Sequence, residues 1–279
     1  IEAADVIEVL RKQVCLLTGG RERGGGPLVV FPAAQIVQFH PRDVADTLSY
    51  FSVVPSEESL SKGFTVLIDN RENTWKHYLH TLLPLLQQCL GRSLYQVLIV
   101  PPERQSSTSF RQEKFDLPFE PKYVPVSKLV PFVAPSQLTS EFNGFLDYKH
   151  DIWLENRMAY EAFVRDAVAA GVRLEAEMRC TLERFHSAPA TTPRELMAQH
   201  KYIHEAIFTI PDKVITEGRD LHARMQQQVE GAAAEARRPE PNYTLDQVRA
   251  MNDVKRRVEA LEEQMDYSLR MLQQQGQRD

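Results

Sequence analysis

The pattern of apolar and polar residues changes near residue 150. Before that point, short apolar runs of strand length alternate with segments of helical spacing. After it, three long segments carry apolar residues every three or four positions, which is the spacing of amphipathic helices. The pattern therefore predicts an α/β domain over residues 1–149 and an all-α three-helix bundle over residues 150–279.

In the first domain the alternation of elements predicts a sheet with parallel neighbours, because strands joined by crossover helices run in the same direction. The predicted strands are Leu28–Phe31, Phe64–Ile68, Leu94–Val100 and Tyr123–Val126, and the predicted helices are Asp5–Leu17, Pro41–Val53 and Glu72–Leu90. Pro84 lies inside the last of these helices and predicts a kink.

The glycine-rich segment Gly19–Pro27 has two interpretations. It resembles a loop that cradles phosphate, but it lacks the Gly-Lys-Ser/Thr ending of that motif and precedes a strand instead of following one. The pattern favours the other interpretation, in which Gly19 and Gly20 end the first helix and a turn follows.

Residues 103–121 form a polar stretch that carries phenylalanines. Such a segment is either a lid over an apolar cavity or a surface loop that its aromatic side chains hold in place. The sequence leaves both alternatives open and favours the surface loop.

The second domain reads as an up-down-up bundle. The first helix covers about 152–186, and its apolar seam includes Trp153, Phe163 and Leu174. The second begins at Thr192 with a capping box, its apolar seam includes Leu196 and Ile210, and Pro211 predicts a bend within it. The third begins at Thr244, with Gln247 three residues on.

Composition narrows the classes of function. The formal net charge of −5 argues against a nucleic-acid partner, because a protein that binds nucleic acid needs basic residues to neutralise the phosphates. Cys15, Cys89 and Cys180 are far apart and odd in number, which favours a reducing compartment over a disulfide framework or a zinc site. There is no signal-peptide pattern and no apolar run long enough to span a membrane. We expect a cytoplasmic protein, and the start at Ile1 suggests a piece of a longer chain.

Residues able to carry catalysis do not assemble into a recognisable set. His200 and His204 are one helical turn apart, but Lys201 stands where a zinc-protease helix has glutamate. Asp69 follows a strand, where α/β sheets place ligands, although turn formation is the commoner role of such an aspartate. No nucleophile elbow or P-loop is present. We therefore predict no enzymatic activity, no metal and no cofactor.

Several segments resemble the CRAL-TRIO domain of Trio- and kalirin-type Rho guanine-nucleotide exchange factors of the Dbl family, followed by a first spectrin repeat. These segments are Leu16–Arg21, Gly63–Asp69, Trp75, Pro135–Gly144 and Asp147–Leu154, with Trp153 matching the tryptophan of the repeat's first helix. The resemblance implies a CRAL-TRIO-like α/β domain over residues 1–149 and a spectrin repeat over residues 150–279.

The resemblance implies a non-catalytic regulatory or scaffolding fragment. Its α/β domain would bind phospholipid or phosphoinositide headgroups at a membrane surface, and its spectrin repeat would bind signalling or cytoskeletal proteins. Small GTPases would be reached through an exchange domain that this chain lacks. Peripheral association with membrane or cytoskeleton would follow. The headgroup candidates are the basic residues near loops: Arg21, Arg23, Arg71, Lys76, Arg104, Arg111 and Lys114.

The alternative is a pure protein-interaction scaffold in which the CRAL-TRIO fold is degenerate and binds no ligand. The near-neutral charge favours it, as does the sequence Glu103–Ser107, where the family has an aromatic pair and basic residues. The first helical segment is also short, so we expect no roomy lipid tunnel.

Overall fold

A computed structural model describes residues 1–33, 39–103, 114–235 and 243–275. The chain forms two compact units, one made of Ile1–Glu155 with Val229–Val248 and the other of Asn156–Gln228 with Arg249–Asp279. The domain boundary between residues 149 and 150 stays a prediction, and the first unit contains a second stretch of chain besides.

The first unit contains a five-stranded mixed sheet in the order β1-β2-β3-β4-β5. The strands are β1 (Leu16–Arg21), β2 (Pro27–Phe31), β3 (Phe64–Asp69), β4 (Leu94–Val100) and β5 (Lys122–Tyr123). The first pair is antiparallel and the other three pairs are parallel. The three predicted strands that became β2, β3 and β4 are confirmed, with parallel neighbours, because largely buried strands read as apolar runs. The predicted strand Tyr123–Val126 was wrong in its bounds, since the strand is Lys122–Tyr123 and Val126 begins a 3₁₀ turn.

Short helices and turns precede, connect and follow these strands. They are α1 (Ile7–Arg11), α2 (Pro41–Phe51), α3 (Glu57–Ser61) and α4 (Leu79–Leu90), with 3₁₀ turns at Ala3–Val6, Gly91–Ser93, Val126–Lys128, Pro135–Gln137 and Ser140–Phe142. The predicted start of α4 at Glu72 was wrong. Residues before Leu79 form turns, since the Trp75 amide bonds to the Asn70 side chain instead of continuing a helix.

The N-terminal prediction was also wrong. The helix ends at Arg11, Gln13 follows with a φ of 53°, and Gly19 and Gly20 lie in β1. Strand pairing between Leu16 and Val30 explains the difference, because this tertiary contact outweighs the local helical spacing. The segment Gly19–Pro27 is thus the end of a strand and a hairpin turn.

One face of the sheet is filled by the chain itself. Its apolar side chains pack with residues from the segment 124–142, and the cluster comprises Leu28, Val30, Leu67, Leu98, Val100, Val124, Leu129, Val133, Leu138 and Phe142. Every member is buried, with Val124 the most exposed at 6%. The helices α2 and α4 contact each other, and α4 contacts β4.

The second unit is helical, as predicted. Its elements come from α5 (His150–Ser187), α6 (Pro193–Tyr202), a π-helical turn (Ile203–Ile207), α7 (Thr209–Glu235) and α8 (Leu245–Gln275). The capping box of Thr192 and Glu195 is formed, as is the pair of bonds between Thr244 and Gln247. Two clusters make the core, one centred on Phe163 and Val258 and one on Leu174 and Leu272.

An irregularity interrupts the second long helix where Pro211 predicts it. Pro211 has no amide hydrogen to give to the Ile207 carbonyl. The chain accommodates this with the π-helical turn, in which the Phe208 amide donates to the Ile203 carbonyl five residues back. Ile210 and Leu196, which were predicted to lie on the apolar seam, are 37% and 49% exposed.

Trp153 does not lie in the helical core where its spacing placed it. It packs within the first unit, stacked on His150 at 5.7 Å and edge-on to Tyr50 and Phe51. The imidazole of His150 in turn bonds to the Tyr148 hydroxyl and the Leu10 carbonyl, each at 2.7 Å. The start of α5 is thereby anchored in the α/β unit.

Candidate functional site

The carboxyl edge of the parallel strands carries three of the predicted headgroup residues. Arg71 follows β3, Lys76 lies in the turns before α4, and Lys114 lies in the segment that leads to β5. A ring contact of 4.9 Å between His80 and Phe115 holds the Lys114 segment beside the first turn of α4. The structure therefore brings Lys76 and Lys114 to the same edge, and both side chains are exposed.

A rigid turn supports Lys76. Trp75 beside it is fully buried, and its indole nitrogen donates to the Pro32 carbonyl at 3.0 Å. Its ring packs edge-on against Phe31 at 5.4 Å. Asn70 closes the turn by accepting from the Trp75 amide at 3.0 Å. The tryptophan thus fixes the backbone from which the lysine projects into solvent.

Arg71 is already paired. Its Nε and one terminal nitrogen donate to the two oxygens of Asp69 at 2.9 and 2.8 Å, and its guanidinium lies over the Phe142 ring. The hydrogen bond to Asp69 raises the pKa of the Arg71 guanidinium, and the nearby Glu103 and Glu141 act in the same direction. Asp69 also accepts from the Arg71 amide, so it forms the turn that its position suggested. An incoming anion would have to displace this bidentate pair.

Arg21 and Arg23 lie at the opposite edge of the sheet. Arg21 pairs with Pro27, the first residue of β2, whereas Arg71 follows the last residue of β3. Arg21 forms an ion pair with Asp246 at 3.0 Å, and the Nε of Arg23 donates to the Val130 carbonyl at 2.6 Å. The predicted set is therefore divided between two edges. Arg104 and Arg111 lie outside the described residues, as does most of the segment interpreted as a lid or a surface loop.

Groups that would suggest a metal are not assembled in the described parts of the chain. No three His, Cys, Asp or Glu side chains are grouped there. The His200 and His204 rings contact each other at a tilt of 37°, with ring centroids 4.4 Å apart. None of the helices in the described ranges is both long and apolar enough to cross a bilayer.

Sequence alignments with described proteins support the predicted resemblance. The chain is 30% identical over 174 residues to the human SEC14 domain and spectrin repeat-containing protein 1, an alignment covering 61% of this chain and 25% of the relative. It is 31% identical over 208 residues to the human probable guanine nucleotide exchange factor MCF2L2, covering 70% of this chain and 18% of that protein. It is 32% identical over 170 residues to the rat guanine nucleotide exchange factor DBS, covering 58% and 15%.

These similarities confirm the resemblance to a SEC14-type (CRAL-TRIO) domain followed by a spectrin repeat, as found among Dbl-type exchange factors. The mixed sheet followed by long helices agrees with that assignment. The alignments span about a quarter or less of the length of these relatives. A search of protein-family models finds no match to the chain.

The sequence did not reveal the contacts that decide which of the basic candidate side chains are already paired with an acidic group. The partner of Arg71 stands two residues before it and was within reach of local turn rules. The partner of Arg21 is 225 residues away, and no sequence signal pairs the two. The anchoring of Lys76 through Trp75 was likewise hidden, because the carbonyl that binds the indole belongs to a separate connection.

Proposed function

We propose that this chain is a non-catalytic regulatory segment of a larger protein related to Dbl-type exchange factors. Its α/β unit binds phosphoinositide headgroups weakly at a membrane surface, and its helical unit binds signalling or cytoskeletal proteins. Small GTPases are engaged by a separate exchange domain of the longer protein. The segment acts in the cytoplasm, in peripheral association with membrane or cytoskeleton. The names of the relatives support the exchange-factor connection.

The observation that carries the lipid part is the exposure of Lys76 and Lys114 at one edge, beside the buried Trp75 in one case and the His80–Phe115 ring contact in the other. Each lysine near an anionic membrane contributes about 1 kcal/mol of attraction. Two lysines therefore give weak, salt-sensitive binding. The filled face of the sheet supports contact with the headgroup rather than enclosure of an acyl chain.

Vesicle co-sedimentation tests this proposal. The full chain should sediment more with vesicles that contain phosphatidylinositol bisphosphate than with neutral phosphatidylcholine vesicles. Reversing both charges, Lys76→Glu with Lys114→Glu, should weaken binding by about tenfold or more, since about 1.4 kcal/mol corresponds to a factor of ten.

A matched control keeps the same change in net charge at the other edge. Lys62 and Lys128 are exposed; Lys62 lies just before β3, and Lys128 lies close in sequence to the Val130 carbonyl that binds Arg23. The variant Lys62→Glu with Lys128→Glu should retain most of the binding. Equal sedimentation with neutral and phosphoinositide vesicles would remove the lipid part of the proposal.

The second candidate function is a pure protein scaffold whose α/β unit binds no lipid. The pairing of Arg21 with Asp246 and of Arg71 with Asp69 favours it, because both guanidinium groups are already compensated. For the helical unit, the exposed Val172 and Met197 are the natural contacts, at 66% and 74% exposure. Proximity labelling in cells should lose a subset of neighbours in the variant Val172→Glu with Met197→Glu.

A further inference from the structure

The side chain of Thr244, at the start of α8, packs against Gly19 in the edge strand β1. Gly19 has a φ of 84°, and a Cβ atom built on it would lie 2.8 Å from Cγ2 of Thr244. Thr244 is 3% exposed, so its side chain fills the space that the glycine leaves open. Both residues belong to the first compact unit. The segment 243–248 therefore lies along the free edge of the sheet.

The segment is held in a fixed conformation by its own cap. The Thr244 amide donates to Oε1 of Gln247 at 2.7 Å, and the Gln247 amide donates to Oγ1 of Thr244 at 3.1 Å. This reciprocal pair of bonds orients the first turn of α8. Asp246 lies in that turn, and the cap fixes the backbone that carries it.

Asp246 is the anionic partner of Arg21 in this structure. Its Oδ1 accepts from one terminal nitrogen of Arg21 at 3.0 Å, and the two side chains are 22% and 19% exposed. The contact consists of a single hydrogen bond, although a guanidinium favours two parallel hydrogen bonds to a carboxylate. The Nε of Arg21 is buried and has no acceptor among the described residues. The carboxylate therefore leaves part of the donor capacity of Arg21 unused.

A phosphate group matches what Asp246 leaves unfilled, because it presents several acceptor oxygens to one guanidinium. We propose that residues 243–248 act as an intramolecular strap, in which Asp246 competes with phosphoinositide headgroups for Arg21. This inference rests on the proposed lipid function and adds a regulated site at the opposite edge from Lys76 and Lys114. Release of the strap exposes Arg21 and strengthens attachment to the membrane.

The first test is vesicle co-sedimentation of the full chain carrying Asp246→Asn, which keeps the shape of the side chain. Binding to phosphatidylinositol bisphosphate vesicles should rise about threefold or more, and Arg21→Gln in the same chain should abolish the gain. Glu58→Gln is the matched control, because Glu58 is also an exposed acid in the first turn of a helix. A gain no larger than that of the control, or one that survives Arg21→Gln, would overturn the proposal.

Hydrogen exchange tests the strap without lipid. Amides of residues 16–21 and 243–248 should exchange faster in Asp246→Asn than in the unmodified chain, and unchanged exchange would contradict the docking role. The two proposals fail separately. If reversing Lys76 and Lys114 has no effect while the Asp246 gain depends on Arg21, the strap stands and the proposed edge is wrong. If those reversals abolish binding while Asp246→Asn behaves like its control, the strap is wrong.

Discussion

Replacing Gly218 with alanine should destabilise the helical unit, although the same change stabilises most helices. Gly218 lies in α7, and a Cβ atom built there would lie 2.5 Å from Cγ2 of Val258 and 2.6 Å from Cε2 of Phe163. Normal carbon contacts are about 3.5–4.0 Å, so both are about 1 Å too short. Phe163 and Val258 are buried at 5% and 7% exposure and have little room to move.

The magnitude follows from two opposing terms. Glycine in a helix interior costs roughly 0.5–1 kcal/mol relative to alanine, which favours the substitution. Inserting an extra methyl group into a packed core costs about 1–3 kcal/mol. Since the collision involves two buried side chains, we expect a net loss of about 1–2 kcal/mol in the free energy of unfolding.

Two other helical glycines provide a graded control. Among the residues that the structure describes, a Cβ atom at Gly231, also in α7, would meet nothing within 4 Å, so Gly231→Ala should stabilise the chain by roughly 0.5–1 kcal/mol. A Cβ atom at Gly171 would lie 3.3 Å from the end of the Gln264 side chain, which can move, so that substitution should be close to neutral. Urea unfolding followed by far-ultraviolet circular dichroism gives the order. A Gly218→Ala chain as stable as the unmodified one would refute the close packing of Gly218 against Phe163 and Val258.

Three further predictions use acid and thiol chemistry. Burial alone would raise the pKa of the Asp253 carboxyl, but the hydrogen bonds that it accepts, including one from the Tyr160 hydroxyl, hold that pKa below its ordinary value. The stabilisation that the Asp253 carboxylate gives the fold should therefore persist near neutral pH and fade below about pH 4, and Asp253→Asn should flatten that loss in acid-unfolding curves. Burial lowers the pKa of His150, so the unfolded chain takes up a proton before the folded chain does. Stability should therefore fall as the pH drops below about 7, and His150→Gln should reduce the slope of urea midpoints against pH. Iodoacetamide should label the exposed Cys180 first and Cys15 only after unfolding, since burial raises the pKa of the Cys15 thiol; early labelling of Cys15 in peptide mass spectra would contradict its position.

Long apolar runs were the part of the fold most accessible from sequence. β2 and β3 are buried on both faces and β4 is buried from Val97 to Val100, so their residues read as largely apolar segments. β1 was hidden because its sequence contains Gly19 and Gly20, which local rules assign to a cap. Its strand character comes from pairing with β2, a contact that local propensity does not contain.

Helical periodicity predicted the long helices but not every partner. Phe163 and Leu174 are buried as the seam predicts, whereas Trp153 shares that spacing and packs on Tyr50 and Phe51 of α2. Periodicity identifies an apolar face without naming what covers it. The same limit applies to the cations, because the distant partner of Arg21 is a consequence of topology.

We propose that the α/β unit contacts lipid at its surface, because its own residues fill the sheet face that includes Leu67 and Leu98. Native mass spectrometry of the full chain, purified by mild extraction and incubated with phosphatidylinositol vesicles, tests this directly. We expect the mass of the polypeptide alone, with vesicle binding still lost on reversal of Lys76 and Lys114. A phospholipid retained at one molecule per chain would show an enclosed ligand and refute binding at the surface alone.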